Sequence, residues 1–324
     1  MKKIVTIGGG TGMYMLLSGL KKYDVELSVI VSMMDSGGST GRLRDQLGVL
    51  PPGDVRQCLV ALSEASDLWR QLFLYRFENG DLQGHNFGNI FISALEKIIP
   101  DYQKVIDTAS FILKTKGQVI PVTHDNVHLS VQYEDGETIE KESAIDTATH
   151  KLDRIVNAFL IPRATANKKA LTSLLDGDYI ILGPGDLYTS LIANLLVDGV
   201  SEAIIQSSAR VILIMNLMTK KGQTTHYTAS DHIEDIEKYM KKKVDIVLMN
   251  EQKISDDMMN YYMKSDERQV QDDLQKMKNR YSFHYASLIS NALHKQLKND
   301  YAVRSLVRHD SEKLAEAIQN IITR

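Results

Sequence analysis

The chain has 324 residues, 43% of them hydrophobic, and a formal net charge of −3, a size and composition that can bury one large α/β core or two smaller ones. Acidic and basic residues are mixed along the chain, so bulk charge gives no case for nucleic acid as a partner. The single cysteine, Cys58, excludes an intrachain disulfide and makes a reducing cytoplasm the expected compartment.

The N-terminal segment predicts the first half of a βαβ unit. Lys3–Ile7 is a short apolar strand, Gly8–Gly12 (GGGTG) follows it, and Met13–Leu20 is amphipathic. The first apolar run is too short and glycine-rich for a signal peptide, and no later segment is long and uncharged enough to span a bilayer. A second β-rich run follows at Val25–Met34. Apolar strands separated by helices predict a parallel sheet covered on both faces.

The middle of the chain combines helices with one antiparallel feature. Helices are predicted at Asp54–Leu62, Asp67–Phe77 and Asn89–Ile99. Val119–Ile139 alternates polar and apolar residues and contains the turn-forming pair Asp135-Gly136. We therefore expect a small antiparallel hairpin inserted into the core.

The second half of the chain returns to the α/β pattern. Apolar strands are expected within Asp178–Ser190, Ala209–Thr219 and Val244–Asn250. The charged segment Glu251–Asn279 is predicted to be helical. Ser311–Thr323 is predicted to be a final amphipathic helix, with Ser311 as its N-cap.

The GGGTG loop joins a strand to a helix, an arrangement suited to binding phosphate. Glycines let backbone N–H groups approach an anion, and the helix adds unpaired N–H groups and the positive end of its dipole. The loop differs from the dinucleotide fingerprint because Met13 replaces its third glycine, and no Walker triplet follows. A phosphate or diphosphate is the expected ligand, and a tight turn without a ligand is the alternative.

A second loop, Asp35–Arg42, follows the second predicted strand. It offers backbone donors, hydroxyl groups and the Arg42 guanidinium, which can bind phosphate through two N–H groups. Asp35 can bind a ribose hydroxyl or hold a divalent metal through water. Ligands of open α/β sheets bind at the carboxyl ends of the strands, so two such loops strengthen the prediction. A surface turn with a salt-bridged arginine is the alternative.

Further polar residues follow other predicted strands or helices. The loop Gly183–Ser190 contains Asp186, which can bind the ligand or cap the next helix. Asn216 and Thr219 end another apolar strand and can contact a base, a sugar or a second substrate. For Asp54, the alternative to a binding role is that it only caps the N-terminus of a helix. In GHNFGN, the alternative is that the side chains form hydrogen bonds that only stabilise their own loop; these residues are His85, Asn86 and Asn89.

The histidines and the cysteine give no strong sign of catalysis. His124 and His128 share one face of predicted strands, a spacing that does not by itself make a metal site. His226 and His232 can approach a ligand. No Cys/His zinc spacing and no G-x-S-x-G nucleophile motif occurs, and Cys58 lies in a helical run as an expected core residue.

An ordered set of segments resembles one known family. GGGTG, GGSTGRLRDQLGVLPPGDVRQCLVAL, GHNFGN, GPGDLYTSLIANLL, NLMTKKGQT, ASDH and VRHD fall in the order seen in bacterial gluconeogenesis factors, which are similar to 2-phospho-L-lactate transferases. The resemblance covers nearly the whole chain. It implies a Rossmann-like α/β core. Together with the strand pattern, we expect a three-layer fold with a mainly parallel sheet, in a single domain of residues 1–324 with a small antiparallel hairpin insertion near 117–160.

The two branches of this family imply different functions. The transferases imply a guanosine diphosphate moiety, a divalent metal, and transfer of phospholactate to a deazaflavin hydroxyl. The gluconeogenesis factors look like binders of nucleotide sugars, especially UDP-N-acetylglucosamine, that are needed for cell shape and wall synthesis on gluconeogenic carbon sources.

The chain departs from the family pattern at several positions. Asp35 is followed by Ser36 where the family commonly has two adjacent aspartates, which removes one carboxylate that could bind a metal. GHNFGN replaces GHSLGN. Asp272 stands where relatives can place a tyrosine near the ligand, whereas Arg308 of VRHD matches the family pattern and is expected to contact a nucleotide sugar.

Three functions compete on these observations. A regulatory nucleotide-sugar-binding protein is the main prediction. A metal-dependent transferase with Asp35 and Asp54 holding Mg²⁺ is the alternative, and an NAD-dependent oxidoreductase rests on fold analogy alone. The candidate residues for binding a nucleotide sugar or nucleoside diphosphate are Gly8, Gly9, Gly10, Thr11, Gly12, Asp35, Gly37, Gly38, Ser39, Arg42, Asn86, Asn89, Gly183, Gly185, Asp186, Asn216, Thr219 and Arg308. Homo-oligomerisation is left open.

Overall fold

A seven-stranded parallel sheet forms the centre of the fold, with the strand order β10-β9-β8-β7-β1-β2-β3. The computed structural model describes residues 1–277, 280–290 and 306–323, and Lys276 through its backbone only. The strands are β1 Lys2–Gly8, β2 Val25–Val31, β3 Gln118–Pro121, β4 His128–Tyr133, β5 Thr138–Glu140, β6 Ile155–Ile161, β7 Tyr179–Leu182, β8 Arg210–Ile214, β9 Ile246–Asn250 and β10 Ser282–Ala286.

Helices cover both faces of this sheet, so the predicted three-layer α/β class is confirmed. On one face α1 packs against α3 and α13, and elsewhere α8 packs against α10. The helices are α1 Gly10–Leu20, α2 Gly38–Leu47, α3 Pro52–Leu62, α4 Asp67–Leu74, α5 Phe87–Ile98, α6 Tyr102–Leu113, α7 Glu142–Asp146, α8 Lys168–Asp176, α9 Ala193–Leu195, α10 Val200–Gln206, α11 Ala229–Met240, α12 Asp256–Met263 and α13 Ser311–Ile322, with a π-helix at Leu187–Ile192 and a 3₁₀ turn at Leu274–Met277.

The core follows from the apolar strands. In β1 and β2 the last five residues of each strand are all buried, as expected for strands covered on both faces. Ile4 of β1 lies beside Leu27 of β2 and Tyr179 of β7, which sets the register of the central three strands. Within the described residues, no helix is long and apolar enough to cross a membrane.

The strand order creates one crevice where a ligand is expected. From β1 the chain builds the sheet outward through β2 and β3, and then returns to add β7 on the other side of β1. Ligands of open α/β sheets bind at such a reversal, outside the carboxyl ends of the strands. The loops that follow β1 and β7 border this crevice, and the loop that follows β2 is next to them.

The antiparallel insertion differs from its predicted boundaries. It is a three-stranded sheet in the order β5-β4-β6, and its Asp135-Gly136 turn joins β4 to β5 as predicted. Residues Val119–Pro121 were expected in the hairpin, but they belong to β3 at the edge of the parallel sheet. A short apolar run fits either setting equally well, so periodicity alone could not separate them.

Two helix predictions also need correction. The segment Glu251–Asn279 is helical only over α12 and the 3₁₀ turn, and Asn279 lies outside the described residues. Its backbone instead bonds to a distant loop, because the Thr219 N–H donates to the Arg268 carbonyl (2.7 Å). The cap of α13 is Asp310 and not Ser311, since Asp310 Oδ1 accepts the N–H groups of the helix's first turn.

Candidate functional site

The candidate site is a cavity of about 530 Å³ at the carboxyl ends of the central strands. The loops after β1, β2 and β7 all line it, so the three predicted ligand loops come together. We call them the β1 loop (residues 9–12), the β2 loop (residues 35–39) and the β7 loop (residues 183–186). The β1 and β2 loops run directly into α1 and α2, whose first N–H groups lack acceptors within the helix.

The β1 and β7 loops are in direct backbone contact. A Cβ atom on Gly12 would overlap the carbonyl group of Pro184, so glycine is required at this close approach. The Asn216 side chain at the end of β8 donates from Nδ2 to the Gly185 carbonyl (2.9 Å). Asn216 therefore positions the β7 loop, whether or not it also contacts a ligand.

Two carboxylates already bind loop amides. The Gly10 N–H donates to Asp54 Oδ1 (2.9 Å), and the Gly37 N–H donates to Asp35 Oδ1 (2.9 Å). Asp54 is not the N-cap that the sequence allowed, because Pro51 holds that position and Asp54 lies within the first turn of α3. Each carboxylate thus binds at the N-terminus of α1 or α2, where an anionic ligand is also favoured.

Glu142 of α7 brings another carboxylate to the cavity, and no sequence pattern pointed to it. Its Oε2 accepts the Ser36 N–H (3.2 Å), and the Ser36 hydroxyl lies 3.0 Å from the Ser143 hydroxyl. Burial raises the pKa of Glu142 well above its ordinary value, and the nearby Asp35 and Asp146 raise it further. A carboxylate in this position is therefore crowded by like charges.

Lys220 joins two of the acidic residues. Its Nζ lies 2.7 Å from Asp146 Oδ1 and 2.6 Å from Asp186 Oδ2, and only 21% of its side chain is exposed. Burial opposes the charge on Lys220, but Asp186 and Asp146 together raise its pKa, so it stays protonated. Asp186 follows Gly185 at the predicted cap position, yet its side chain makes no capping bond to the π-helix.

Residues of the GHNFGN segment have two roles: some stabilise their loop, and one lines the cavity. Asn86 caps α5, because its side chain accepts the Asn89 N–H (3.2 Å). Ser39 Oγ lies 3.2 Å from His85 Nδ1 and accepts the Asn86 N–H (3.2 Å). Asn89 Oδ1 accepts from Arg56 Nε (2.7 Å), and both of these side chains line the cavity.

The structure separates the candidate residues into two groups. Among the described residues, the cavity lining does not include Gly8, Arg42, Asn86 or Gly183. Arg42 instead donates from Nη2 to the Gln83 carbonyl (2.9 Å). Its side chain therefore bonds to a neighbouring loop at the surface, which resembles the surface-turn alternative. The candidates that line the cavity are Gly9, Gly10, Thr11, Gly12, Asp35, Gly37, Gly38, Ser39, Asp54, Asn89, Gly185, Asp186, Asn216, Thr219 and Arg308. Their binding role stays a prediction.

The other end of the cavity is apolar. Leu217, Met218, Tyr262 and Val307 belong to a small hydrophobic cluster apart from the main core, and all four line the cavity. The Tyr262 hydroxyl accepts the N–H of Val307 (3.0 Å), which anchors the VRHD segment to α12. The sequence pointed only to Arg308 here, because three distant chain segments form this end: the loop after β8, α12 and the segment before α13.

The remaining predicted residues lie elsewhere. Asp272 is exposed, accepts from the Tyr285 hydroxyl (3.0 Å), and is not part of the lining that the described residues form. The tyrosines at the cavity are Tyr261 and Tyr262 of α12. Thus an aromatic side chain is present at the cavity, although it does not come from position 272.

The histidine and cysteine predictions had mixed outcomes. His124 was expected on a strand, but it lies in the loop before β4. In the described part of the chain, His226 and His232 are not in the cavity lining, and burial lowers the pKa of His232. Cys58 is fully buried and its pKa is raised by that burial, as expected of a core residue.

The carboxylate oxygens at the cavity are of the chemical type that binds a magnesium ion. Carboxylate oxygens are the protein ligands that Mg²⁺ prefers, and it is commonly held by one or two of them together with phosphate oxygens of a substrate. Asp35 and Asp54 are the residues that would provide them. The described residues contain no group of three or more His, Cys, Asp or Glu that could hold a metal ion.

Comparison with known proteins gives consistent similarities. The family model of 2-phospho-L-lactate transferase CofD matches residues 4–288. The gluconeogenesis factor of Halalkalibacterium halodurans is 40% identical over 323 residues, covering 98% of this chain and 95% of that protein. That of Bacillus subtilis is 35% identical over 326 residues, covering 99% and 98%. A crystal structure of a UPF0052 family member from Bacillus halodurans has a TM-score of 0.90 and 38% identity, covering 98% and 99%.

Proposed function

The chain belongs to the 2-phospho-L-lactate transferase CofD family, and from this membership we propose that it is a regulatory protein that binds a nucleotide sugar of the UDP-N-acetylglucosamine type. One observation carries the proposal: three glycine-rich loops meet in one cavity at the reversal point of a parallel sheet. Its relatives named gluconeogenesis factors match it over nearly the full length of both chains.

The loop end of the cavity suits the diphosphate. The N-termini of α1 and α2 both open on the cavity, and helix N-termini favour anions through their N–H groups and dipoles. Arg56, Lys220 and Arg308 add positive charge to the lining. These donors would offset the charge of a diphosphate that Asp35 and Asp54 repel.

The apolar end suits the nucleoside or the sugar. Tyr261 and Tyr262 of α12 provide aromatic surface, and Leu217, Met218 and Val307 add aliphatic surface. Nucleotide ligands combine charged phosphates with a flat base and a hydroxyl-rich sugar. A cavity with one donor-rich end and one apolar end matches that division.

Calorimetry on the full chain tests the proposal. We expect UDP-N-acetylglucosamine to bind at least about tenfold more tightly than GDP or NAD, because the sugar adds contacts at the apolar end. UDP alone separates the contribution of the sugar from that of the diphosphate. If no UDP-sugar binds, with or without Mg²⁺, the proposal is wrong.

The regulatory role can be tested in cells. We propose that the bound nucleotide sugar controls a function needed for normal cell shape and wall synthesis during growth on gluconeogenic carbon sources. A bacterium that lacks its own gluconeogenesis factor should regain normal shape when it produces this chain. A variant that folds but does not bind the nucleotide sugar should fail to restore shape, whereas rescue by that variant would contradict the regulatory role.

A metal-dependent transferase is the second candidate. The carboxylates of Asp35 and Asp54 at the loop amides favour it, as does the family itself. Mg²⁺ held there would stabilise negative charge that develops on the diphosphate. Incubation with Mg²⁺, a guanylyl-phospholactate donor and a deazaflavin acceptor should then yield the phospholactyl product; the absence of product would leave binding as the function.

A further inference from the structure

We propose that Glu142 is a specificity-determining residue whose carboxyl oxygen Oε1 accepts a hydrogen bond from a hydroxyl or amide N–H group of a sugar in the bound ligand. The inference rests on the proposed function and deepens it, because it assigns a partner on the protein to a sugar that flanks the diphosphate. In a nucleotide sugar both the ribose and the hexose flank the diphosphate. Either can supply the donor, and modified ligands distinguish the two.

Two hydrogen bonds between α7 and the β2 loop hold Glu142 at the cavity. Its Oε2 atom accepts the Ser36 N–H (3.2 Å), which fixes one carboxyl oxygen. The Ser143 N–H donates to the Ser36 hydroxyl oxygen (2.9 Å), which fixes the backbone of α7 beside it. Glu142 itself is half-buried and belongs to the cavity lining. The carboxyl group is therefore both held in place and within reach of a ligand.

The two carboxyl oxygens of Glu142 have different surroundings. Oε2 is bound by the Ser36 N–H, whereas Oε1 has no hydrogen-bond partner among the described residues. Oε1 is also not one of the enclosed side-chain atoms that lack a partner in this part of the chain, so its surface is open to the cavity. A ligand can therefore reach Oε1 without breaking a bond inside the protein.

A comparison with Asp146 shows that Glu142 is less well satisfied. Asp146 lies one helical turn further along α7 and also lines the cavity. Its Oδ1 atom has three donors: Lys220 Nζ (2.7 Å), Gln223 Nε2 (2.7 Å) and Thr189 Oγ1 (3.3 Å). Glu142 has one donor, a neutral backbone N–H. Carboxyl groups withdrawn from bulk water need donors for their oxygens, so Glu142 gains more than Asp146 does from a donor on the ligand.

The charge around Glu142 favours an uncharged donor over a phosphate oxygen. Burial raises the pKa of Glu142, and the nearby Asp35 and Asp146 raise it further. A phosphate oxygen at Oε1 would add negative charge where carboxyl groups already crowd one another. A hydroxyl or an amide N–H donates a hydrogen bond without adding charge. Because Glu142 adjoins the β2 loop, where the diphosphate is proposed to bind, a sugar attached to the diphosphate is the group that meets it.

Glu142→Gln removes this acceptor and keeps the structural bond. Glutamine can still accept the Ser36 N–H through its side-chain oxygen, which places its NH₂ group at the position of Oε1. Three ligands that share a diphosphate are titrated by calorimetry in EDTA: inorganic pyrophosphate, UDP and UDP-N-acetylglucosamine. We expect the variant to bind pyrophosphate at least as tightly as the wild type does, because it loses a negative charge. It should bind UDP-N-acetylglucosamine about tenfold more weakly.

The series of ligands identifies which sugar supplies the donor. If UDP also binds about tenfold more weakly to Glu142→Gln, the donor is on the ribose, and if UDP does not, the donor is on the hexose. Deoxy analogues of that sugar, and for the hexose an analogue without the acetamido group, then locate the donor. The analogue that lacks it should bind equally to the wild type and to the variant, because sites that bind a ligand donor through a polar group discriminate against analogues without that donor.

Glu140→Gln provides the matched control for the loss of charge. Glu140 of β5 is exposed and lies outside the cavity lining that the described residues form. Removing its charge should therefore change none of the three affinities. An equal weakening of UDP-N-acetylglucosamine binding in the two variants would overturn the inference, because a distant charge would then act as strongly as the proposed hydrogen bond.

Three further results would overturn the role of Glu142. The inference is wrong, while the proposed function stands, if Glu142→Gln binds UDP-N-acetylglucosamine as tightly as the wild type does. A loss of pyrophosphate affinity as large as that of the nucleotide sugar would mean that Glu142 contacts the diphosphate. A loss that appears only when Mg²⁺ is added would assign Glu142 to a cation. If the wild type binds pyrophosphate but no nucleotide sugar, the proposed function and this inference fail together.

Discussion

Two walls of the same cavity are built on opposite principles. The amide wall consists of the residues of the β1, β2 and β7 loops that line the cavity with backbone N–H groups and no charged side chain, at residues 9–12, 37–39 and 185. The carboxylate wall consists of Glu142 and Asp146 from α7 and Asp186 from the end of the β7 loop, with Lys220 between the two aspartates. The amides of the first wall attract anions, and Asp54 and Asp35 already bind two of them, whereas the second wall is itself built from negatively charged side chains.

The difference shows what each wall requires of a ligand. Backbone amides at helix N-termini can accept a phosphate without a counter-charge. Buried carboxylates are tolerated only when a cation or a hydrogen-bond donor satisfies them. A ligand that spans the cavity should therefore place its phosphates toward the amide wall and present hydroxyl groups or a divalent cation toward the carboxylate wall. Nucleotide sugars have both kinds of group.

The largest expected effect comes from breaking the carboxylate wall at Lys220. In the Lys220→Met variant, Asp146 and Asp186 lose the cation that binds both of them. These side chains are only partly buried, so the loss should be about 2 kcal/mol of unfolding free energy, between the costs for exposed and for buried ion pairs. Chemical denaturation at pH 7 measures this loss.

An exposed ion pair provides the matched control for Lys220. Lys169 Nζ lies 3.9 Å from Asp107 Oδ2, and both side chains are about half exposed. Lys169→Met should therefore cost less than about 1 kcal/mol. Equal losses in the two variants would mean that Lys220 contributes no more than a surface charge.

The next largest effect should come from the amide wall at Gly38. Gly38 begins α2 at the cavity with φ +45°, and Gly48 follows the other end of α2 with φ +63°; an added methyl group would meet no other atom at either position. Alanine at either position should cost about 1 kcal/mol of stability, because L-residues disfavour positive φ. Only Gly38→Ala should also weaken UDP-N-acetylglucosamine binding, by about tenfold or more, since its methyl group occupies the space of the phosphate.

Calorimetry on both alanine variants separates strain from binding. Because the backbone strain is matched, any difference in affinity reports on the cavity. If both variants bind like the wild type, the diphosphate does not bind at the N-terminus of α2. If both lose affinity equally, strain in α2 and not occupancy of the site explains the loss.

The amide wall was accessible from the sequence because its chemistry is local. Each glycine loop follows an apolar strand within a few residues, so strand periodicity and loop composition together place Gly12 and Gly38 at the carboxyl edge of the sheet. The same sequence pattern, however, predicted that the ligand-binding part of each loop extends further than it does. Gly8 and Arg42 lie just beyond the residues that turn into the cavity, and local sequence does not mark that limit.

The carboxylate wall could not be predicted because its partners are far apart in the chain. Glu142 and Asp146 belong to a five-residue helix after the antiparallel hairpin, and Lys220 lies in a loop after β8. Only the packing of the small antiparallel sheet brings α7 to the cavity.

A smaller effect should appear when the crowded charge of the carboxylate wall is removed at Glu142. Glutamine at this position can still accept the Ser36 N–H. The folded-state pKa of Glu142 is raised, so its ionisation penalises folding increasingly as pH rises above the ordinary value of 4.5 and is absent below it. Glu142→Gln should therefore raise the melting temperature by about 2 °C or more at pH 8 and change it little at pH 4.

Thermal unfolding in EDTA at both pH values tests this sign. The chelator removes divalent cations that would otherwise reduce the repulsion around Glu142. A melting temperature that falls in Glu142→Gln at pH 8 would mean that the ionised carboxylate stabilises the fold, so that the second wall would not be a site of charge crowding.

The smallest effect is expected at Asp54, whose carboxylate binds an amide of the first wall that the diphosphate would also bind. Asp54→Asn preserves an acceptor for the Gly10 N–H and removes a negative charge from the N-terminus of α1. For a binding protein, losing that repulsion should tighten UDP-N-acetylglucosamine binding about threefold without metal. Asp101→Asn, at the N-cap of α6, removes a similar charge from a helix that lies outside the cavity and should change nothing.

The dependence of affinity on Mg²⁺ then distinguishes the two candidate functions. If Asp54 holds a metal for transferase chemistry, Mg²⁺ should tighten ligand binding in the wild type and fail to do so in Asp54→Asn, and the variant should bind more weakly than the wild type in Mg²⁺. If Asp54 serves only to hold the β1 loop until an anion replaces it, the variant should bind more tightly in both conditions. Calorimetric titrations of the two proteins, each with Mg²⁺ and with EDTA, therefore decide whether the carboxylate is a metal ligand or a competitor of the diphosphate.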